Sequence, residues 1–299
     1  MPVLVRPLRP AEVDVAVAWA AREGWDPGLH DAAAFRAQDE GGFLGLFVDG
    51  EMAASISVVS YGPDFAFLGF YICRPDLRGR GHGFALWRAG LARLGHGPDG
   101  ETATAGAVTV PARTVGLDGV VAEQGHYASS GFVPAHRNIR YGGPAPSAGA
   151  PALRPGLTIV PVSADRVAAV AGYDLELFRF PRFAFLAAWL APPDGLALAA
   201  EANGRIVGYG VIRRTAAGFK IGPLFADDTA TADRLFTRLA AHADGGRIFL
   251  DVPEPNAAAR ALAEEAGLVP VFETARMYKG PPPALPLARI FGITTFELG

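Results

Sequence analysis

The residues between Phe67 and Leu94 are those whose types and spacing could do chemistry. Phe67-Leu68-Gly69-Phe70-Tyr71-Ile72-Cys73 reads as an apolar strand, Arg78-Gly79-Arg80-Gly81-His82-Gly83 as a glycine-rich turn, and Phe84 to Leu94 as a helix. A strand that passes through such a turn into a helix aims several unpaired backbone N–H groups at one point, together with the positive end of the helix dipole. The result is an anion site suited to a phosphate or pyrophosphate. Glycines at 79, 81 and 83 let the chain approach the anion without a Cβ in the way. Arg78 and Arg80 can add charge and bidentate bonds. A magnesium-nucleotide loop would end in Gly-Lys-Ser/Thr, and this one has no lysine. A dinucleotide fingerprint would space its glycines Gly-x-Gly-x-x-Gly within a parallel βαβ unit; here the spacing is Gly-x-Gly-x-Gly, with no parallel alternation after it. A coenzyme A pyrophosphate loop fits both spacing and context.

The elements that must position this loop recur along the chain. Leu4-Val5-Arg6-Pro7 and Ile159-Val160-Pro161-Val162 each open a short strand, followed by helical runs at Ala11 to Ala21 and Ala164 to Leu177. Phe43 to Val48 and Met52 to Val59 flank Asp49-Gly50, and Leu196 to Ala200 and Ile206 to Ile212 flank Asn203-Gly204. Asp-Gly and Asn-Gly are strong hairpin signals because both residues tolerate positive φ. Phe219 to Phe225 followed by Ala232 to His242 echoes the strand and helix around the loop. Gly131-Phe132 and Gly267-Leu268 precede the last strand of each half. Between the halves, Gly142 to Gly156 is rich in Pro, Gly, Ala and Ser and reads as a linker. The reading is α+β, with domains at 1–141 and 157–299 joined by the linker 142–156.

Composition narrows the function classes. The chain has 299 residues, half of them hydrophobic, so wholesale disorder is excluded. A formal charge of -3 argues against a dedicated nucleic-acid partner. Cys73 is the sole cysteine, which excludes an internal disulfide and a cysteine metal cluster, and the six histidines show no HExxH spacing, so no metal is expected. No signal-peptide pattern or long apolar run is present, and a cytoplasmic protein without membrane contact is expected.

Arg78-x-x-Gly81-x-Gly83 after a strand and Pro75, with Tyr127-Ala-Ser-Ser-Gly131-Phe132 downstream, resembles the GCN5-related N-acetyltransferase (GNAT) superfamily. Gly24-Trp25-Asp26-Pro27-Gly28, Leu117-Asp118-Gly119, Arg276-Met277-Tyr278 and Phe291-Gly292-Ile293 resemble, more narrowly, bacterial two-domain members with a degenerate C-terminal acetyltransferase-like domain. The resemblance implies tandem folds, each a mostly antiparallel splayed sheet with helices on both faces. It implies acetyl-CoA as cosubstrate and direct acetyl transfer to a primary amine, a small molecule being favoured as acceptor. The alternatives are a non-catalytic CoA-binding sensor and a protein N-acetyltransferase.

Residue by residue, the resemblance assigns Tyr71, Ile72 and Cys73 to the strand whose backbone pairs with the pantetheine arm. A backbone N–H near Ile72 or Cys73 would hold the oxyanion. Arg78, Gly79, Arg80, Gly81, His82 and Gly83 form the pyrophosphate loop, and Tyr127 is placed to protonate the leaving sulfur. Cys73 itself reads as a small buried residue rather than a nucleophile. Val120 stands where the superfamily often has Asn, and the strand from Phe67 to Cys73 carries no carboxylate, so Glu51, Asp118, Glu123 and His126 stay open as bases beside a water relay. Trp25 and Asp26 are candidates for the acceptor amine, through cation–π and charge contacts. Aligning Phe67 with Phe219 puts Thr229, Ala230 and Ala232 at the places of Arg78, Gly79 and Gly81, with Asp233 beside the would-be phosphate, and Ala263 at the tyrosine position. One acetyl-CoA per chain is therefore expected, with the second half a scaffold that shapes the acceptor site. The expected assembly is a monomer or homodimer.

Overall fold

A computed structural model describes residues 3–96, 104–105, 108–109, 113–146 and 156–299. In the first half the order is β1 (Val3–Pro7), α1 (Pro10–Arg22), α2 (Asp31–Gln38), β2 (Phe43–Val48), β3 (Glu51–Ser60), β4 (Phe65–Cys73), α3 (His82–Arg93), the short pair β5 (Thr104–Ala105) and β6 (Val108–Thr109), β7 (Thr114–Val120), α4 (Gln124–Ser129) and β8 (Val133–Pro144). The second half repeats the plan with β9 (Leu157–Pro161), α5 (Val167–Phe178), α6 (Phe183–Trp189), β10 (Gly195–Ala202), β11 (Arg205–Arg214), β12 (Phe219–Ala226), α7 (Thr229–Ala240), β13 (Arg247–Pro253), α8 (Ala257–Glu265) and β14 (Val269–Lys279), then adds β15 (Ile290–Gly292). Both hairpins turn at the dipeptides that favour it. Asp49 and Gly50 have φ of 51° and 88°, and Asn203 and Gly204 have φ of 50° and 72°. Of the expected linker, Gly142, Gly143 and Pro144 belong to β8, and residues 147–155 lie outside the described residues.

The expected α+β plan is present, but the two sheets are joined. A single 13-stranded sheet runs β1-β2-β3-β4-β7-β14-β8-β13-β12-β11-β10-β9, with β15 alongside β12. Its pairings are antiparallel except β4 with β7 and β12 with β13. The last strand of each half lies in the other half's sheet: β14 pairs with β7, and β8 pairs with β13. Two ion pairs fix this exchange. Arg276 stands opposite Asp118 across β14 and β7, and Arg140 stands opposite Asp251 across β8 and β13. Both pairs are buried and two-pronged, with nitrogen–oxygen distances of 3.0 and 2.8 Å in the first and 2.6 and 2.8 Å in the second. A one-residue slip of either strand would leave a carboxylate and a guanidinium unpaired in the interior, so register and exchange are specified together.

Three apolar cores result. α3 covers one face of the first half over Ile56, Leu86 and Leu91, and α7 covers the corresponding face of the second over Ile221, Leu235 and Leu239. On the opposite face, α1, α2, α5 and α6 share one core. Phe35 of α2 stacks on Trp189 of α6 with ring centroids 5.8 Å apart. The shared core packs helices of both halves against each other.

Candidate active site

The parallel pairing of β4 with β7 runs from Phe65↔Thr114 to Leu68↔Leu117 and stops. From Gly69 to Cys73, β4 keeps its partner β3 and, among the described residues, has no strand on the other side. A register shift lies just there: Ser57 faces Gly69 and Ser55 faces Ile72, so Phe70 and Tyr71 together oppose a single residue of β3. Phe70 has φ +46°, rare for a bulky residue, and its carbonyl accepts a 2.9 Å bond from the Ser55 hydroxyl. This bulge bends β4 away from β7 and leaves an open V in the sheet.

Beyond the V, a short turn at Pro75–Leu77 leads into the glycine loop. Gly79 and Gly81 have φ of 74° and 81°, and a Cβ built on either would meet nothing within 4 Å, so conformation and open space together call for glycine. Gly81 is the N-cap of α3, and no side chain caps that helix. No capping side chain therefore competes for the first N–H groups of α3, as a pyrophosphate site requires, although the Gly83 N–H is directed at the Cys73 thiol. His82 is the first helical residue. Arg78 is folded back, with Nε donating 3.0 Å to the Cys73 carbonyl and its guanidinium paired with Glu23, and Arg80 donates 3.1 Å to the Asp76 carbonyl. Cys73 is half-buried, and burial pushes its thiol up, which suits a packing role.

A small cavity of about 40 Å³ begins at the V. Gly69, Phe70, Tyr71, Asp118 and Tyr127 line it from the first half, and Phe272, Thr274, Phe296 and Glu297 from the second. Tyr127 stacks on Trp87 with centroids 5.4 Å apart. Its ring lies flat over Gly119, where a Cβ would come within 2.9 Å of Cδ2. Burial, and then Glu123 and Tyr71, push the Tyr127 phenol up, so it stays protonated and able to donate. Burial likewise pushes Tyr71 up to about 12.

The structure brings Tyr71, Tyr127 and Trp25 to one cavity but not Asp26. Asp26 faces the second half: Oδ1 accepts from the Ala217 N–H at 3.2 Å, and its carbonyl accepts from Lys220 Nζ at 2.6 Å. Asp31 is the first residue of α2, and its carboxylate is paired with Arg213 of β11. The open candidates for the base all have partners of their own, although Asp118 also lines the cavity. Glu51 pairs with Arg74, Glu123 with His126 at 2.7 Å, and Asp118 accepts from Arg276 and from Asn138. The residues missed by sequence reasoning are those of the second half, Phe272, Thr274, Phe296 and Glu297. Apolar periodicity says nothing of which distant strand they reach.

The second half differs at both parts of the site. α7 begins at Thr229 with Asp228 as N-cap, and the Asp228 carboxylate accepts from the Thr231 N–H at 2.7 Å. Asp228, not Ala232, therefore stands at the place of Gly81, and Asp233 lies inside the helix instead of beside a phosphate. The residue-for-residue alignment slipped because the loop before α7 is shorter. The V beside β12 is filled by β15, with Leu224 facing Gly292 and Phe225 facing Ile290. Among the described residues no group of His, Cys, Asp and Glu is arranged to hold a metal ion, and no helix is long and apolar enough to cross a membrane.

Comparison with known proteins agrees with this geometry. Residues 12–109 match the acetyltransferase (GNAT) family and residues 170–292 match an acetyltransferase (GNAT) domain. The chain is 29% identical to the holothin acyltransferase of Pseudoalteromonas sp. (strain SANK 73390), covering 98% of this chain and 94% of that protein. A putative acetyltransferase from Pyrococcus horikoshii has the same fold, with a TM-score of 0.77 at 22% identity over 99% of this chain and 96% of that one. A tandem GNAT protein from the clavulanic acid biosynthesis pathway superposes with a TM-score of 0.62 at 14% identity over 94% of this chain and 100% of that one. With an open cofactor-type V in one half, a filled one in the other, and a GNAT match to each, the chain belongs to the GCN5-related N-acetyltransferase superfamily as a two-domain acyltransferase.

Proposed function

We propose that the protein transfers an acetyl group from acetyl-CoA directly to a primary amine of a small molecule. The observation that carries this reading is the open V between β4 and β7, which continues into the uncapped N-terminus of α3 at one end and the two-domain cavity at the other. In this reading the pantetheine arm takes the place of the missing strand beside Tyr71, Ile72 and Cys73. The pyrophosphate lies on the N–H groups after Gly81, with Arg78 and Arg80 turning toward it. The thioester carbonyl then lies by the bulge, where a backbone N–H of the Tyr71–Cys73 stretch can hold the oxyanion. The amine nitrogen attacks the carbonyl carbon, the C–S bond breaks, and Tyr127 supplies the proton for sulfur. Residues 1–141 carry the cofactor, and residues 157–299 supply β14 and the far wall.

The small cavity, lined largely by apolar and aromatic side chains, favours a compact acceptor over a protein surface. The relative's name makes holothin the first acceptor to try. Acetyl-CoA would be incubated with holothin and a panel of small primary amines, with CoA release and product mass followed. Acetylated amine, intersecting initial-rate lines and no acylated protein are expected. A covalent acyl-protein with parallel lines would overturn direct transfer, and CoA release to water alone would overturn the amine reading.

A further inference from the structure

Among the described residues, the buried carboxylates fall into two groups. Asp31, Asp118, Asp174 and Asp251 each sit against an arginine, namely Arg213, Arg276, Arg182 and Arg140. Glu297 has none. It is 3% exposed, and among the described residues neither of its carboxylate oxygens makes a hydrogen bond of ordinary geometry. Such a group is costly to keep unless it has a task. Its position is specific as well. The final segment of the chain passes the residue at which β4 leaves β7, so closely that a Cβ on Gly69 would come within 2.4 Å of the Glu297 carbonyl oxygen. Glu297 lines the cavity together with Tyr71 and Tyr127, beside Phe272 and Phe296. No residue of β4 offers a carboxylate there.

We infer that Glu297, delivered by the C-terminal segment of the second half, is the carboxylate that meets the acceptor's ammonium and removes its proton. The inference rests on the acyl-transfer reading above. One proton passes from the ammonium to Glu297 and on to solvent, leaving a neutral amine. That nitrogen bonds to the thioester carbon as the C–S bond breaks. The nitrogen's second proton reaches sulfur by way of Tyr127, which gives one proton and regains one. The products are an amide and free CoA thiol. The surrounding charges suit this task. Burial pushes Glu297 up, Lys220 of β12, Arg140 of β8 and the Thr295 hydroxyl oppose that, and Asp31 of α2 adds to it. A base raised toward neutrality is better matched to an ammonium than one of ordinary strength. Phe272 and Phe296 beside it suit an amine with an apolar or aromatic body.

The test compares the full chain with Glu297→Gln, using acetyl-CoA in calorimetry and holothin and 2-phenylethylamine as acceptor probes. Acetyl-CoA affinity should change less than about twofold. Transfer should fall by about 10²-fold or more, and the acidic limb of the kcat/KM profile should disappear. Transfer within about threefold of the parent with an unchanged pH profile would overturn the inference. Thermal unfolding needs no acceptor and decides separately between a functional and a structural role. A carboxylate kept for function should leave the Gln variant at least as stable as the parent at neutral pH. A Tm lower by more than about 4 °C would show Glu297 to be a structural counter-charge for Lys220, and would overturn the inference. If acetyl-CoA fails to bind the parent, the cosubstrate reading falls, whereas unfolding still judges Glu297.

Discussion

At the scale of single residues, the proposed function divides the site into groups that bind the cosubstrate and groups that act on the transferred acyl unit, and substitutions should separate them. Gly81 has positive φ and open space ahead of it, so Gly81→Asp would both strain the backbone and give α3 the kind of carboxylate cap that α7 already has. Acetyl-CoA affinity in calorimetry should fall by about tenfold or more, since a cap worth about 1 kcal/mol and a repelling charge both act against the phosphate. Tyr127→Phe keeps the ring on Trp87 and Gly119 and removes only the hydroxyl. Affinity should hold while kcat drops by about one to four orders of magnitude, and equal kcat would remove Tyr127 from the proton path. Both residues were legible in the sequence because the signal is local: a glycine pattern after a strand, and a tyrosine at fixed spacing before Gly131-Phe132. Glu297 was not legible. Nothing in Thr294-Thr295-Phe296-Glu297 distinguishes it from a solvated terminus until the fold lays that segment against Gly69. Asp26 shows the converse, since a Trp-Asp pair reads as an ammonium site from sequence, whereas the fold turns it toward the second half, where the Ala217 N–H meets one carboxylate oxygen and Lys220 meets its carbonyl.

At the scale of elements, the hairpins, the strand–loop–helix unit and the doubling of the plan could be read from turn residues and apolar periods. The exchange of β8 and β14 could not. A strand's alternation fixes which faces are buried but not which neighbour it takes, and here each last strand carries an arginine that finds its aspartate only in the other half. Arg140 also donates 2.8 Å to the Trp25 carbonyl and lies under Phe296, 4.6 Å from the ring centroid, so one ion pair ties register to the cavity wall. Asp251→Asn should leave the Arg140 charge buried without its counter-ion and destabilise by about 3–5 kcal/mol. The acid side gives a second readout. Burial alone would push Asp251 up, but Arg140 holds its carboxyl below the usual carboxylate range. A depressed acid contributes stability above its unfolded-state pKa of about 3.9 and loses it as pH falls through the folded-state value. The parent should therefore lose Tm more steeply than the Asn variant as pH drops below about 4, and parallel Tm curves would show that the pair contributes no such linkage.

At the scale of the whole molecule, the pseudo-repeat is broken where a second cofactor would sit, and the break is made by the chain's own C-terminal segment. β15 takes the open side of β12, and the same segment then crosses to the first half and walls its cavity at Phe296 and Glu297. One stretch of chain thus closes one site and completes the other. This argues that the halves act as an obligate pair: the first contributes the V and the helix N-terminus, and the second contributes a strand, a shared core and one wall of the cavity. Titration of the full chain with acetyl-CoA, followed by calorimetry and native mass spectrometry, should give a stoichiometry near one. Asp228→Gly sharpens the test. Removing that carboxylate uncaps α7 and restores free N–H groups where a pyrophosphate could bind, yet β15 still occupies the edge that the pantetheine arm would need. The stoichiometry should stay at one in this variant, because half of a site binds an anion but not the whole cosubstrate. A second equivalent of acetyl-CoA in the parent would mean that β15 yields to the ligand. A second equivalent only in Asp228→Gly would mean that the capped helix, rather than the filled V, silences the second half.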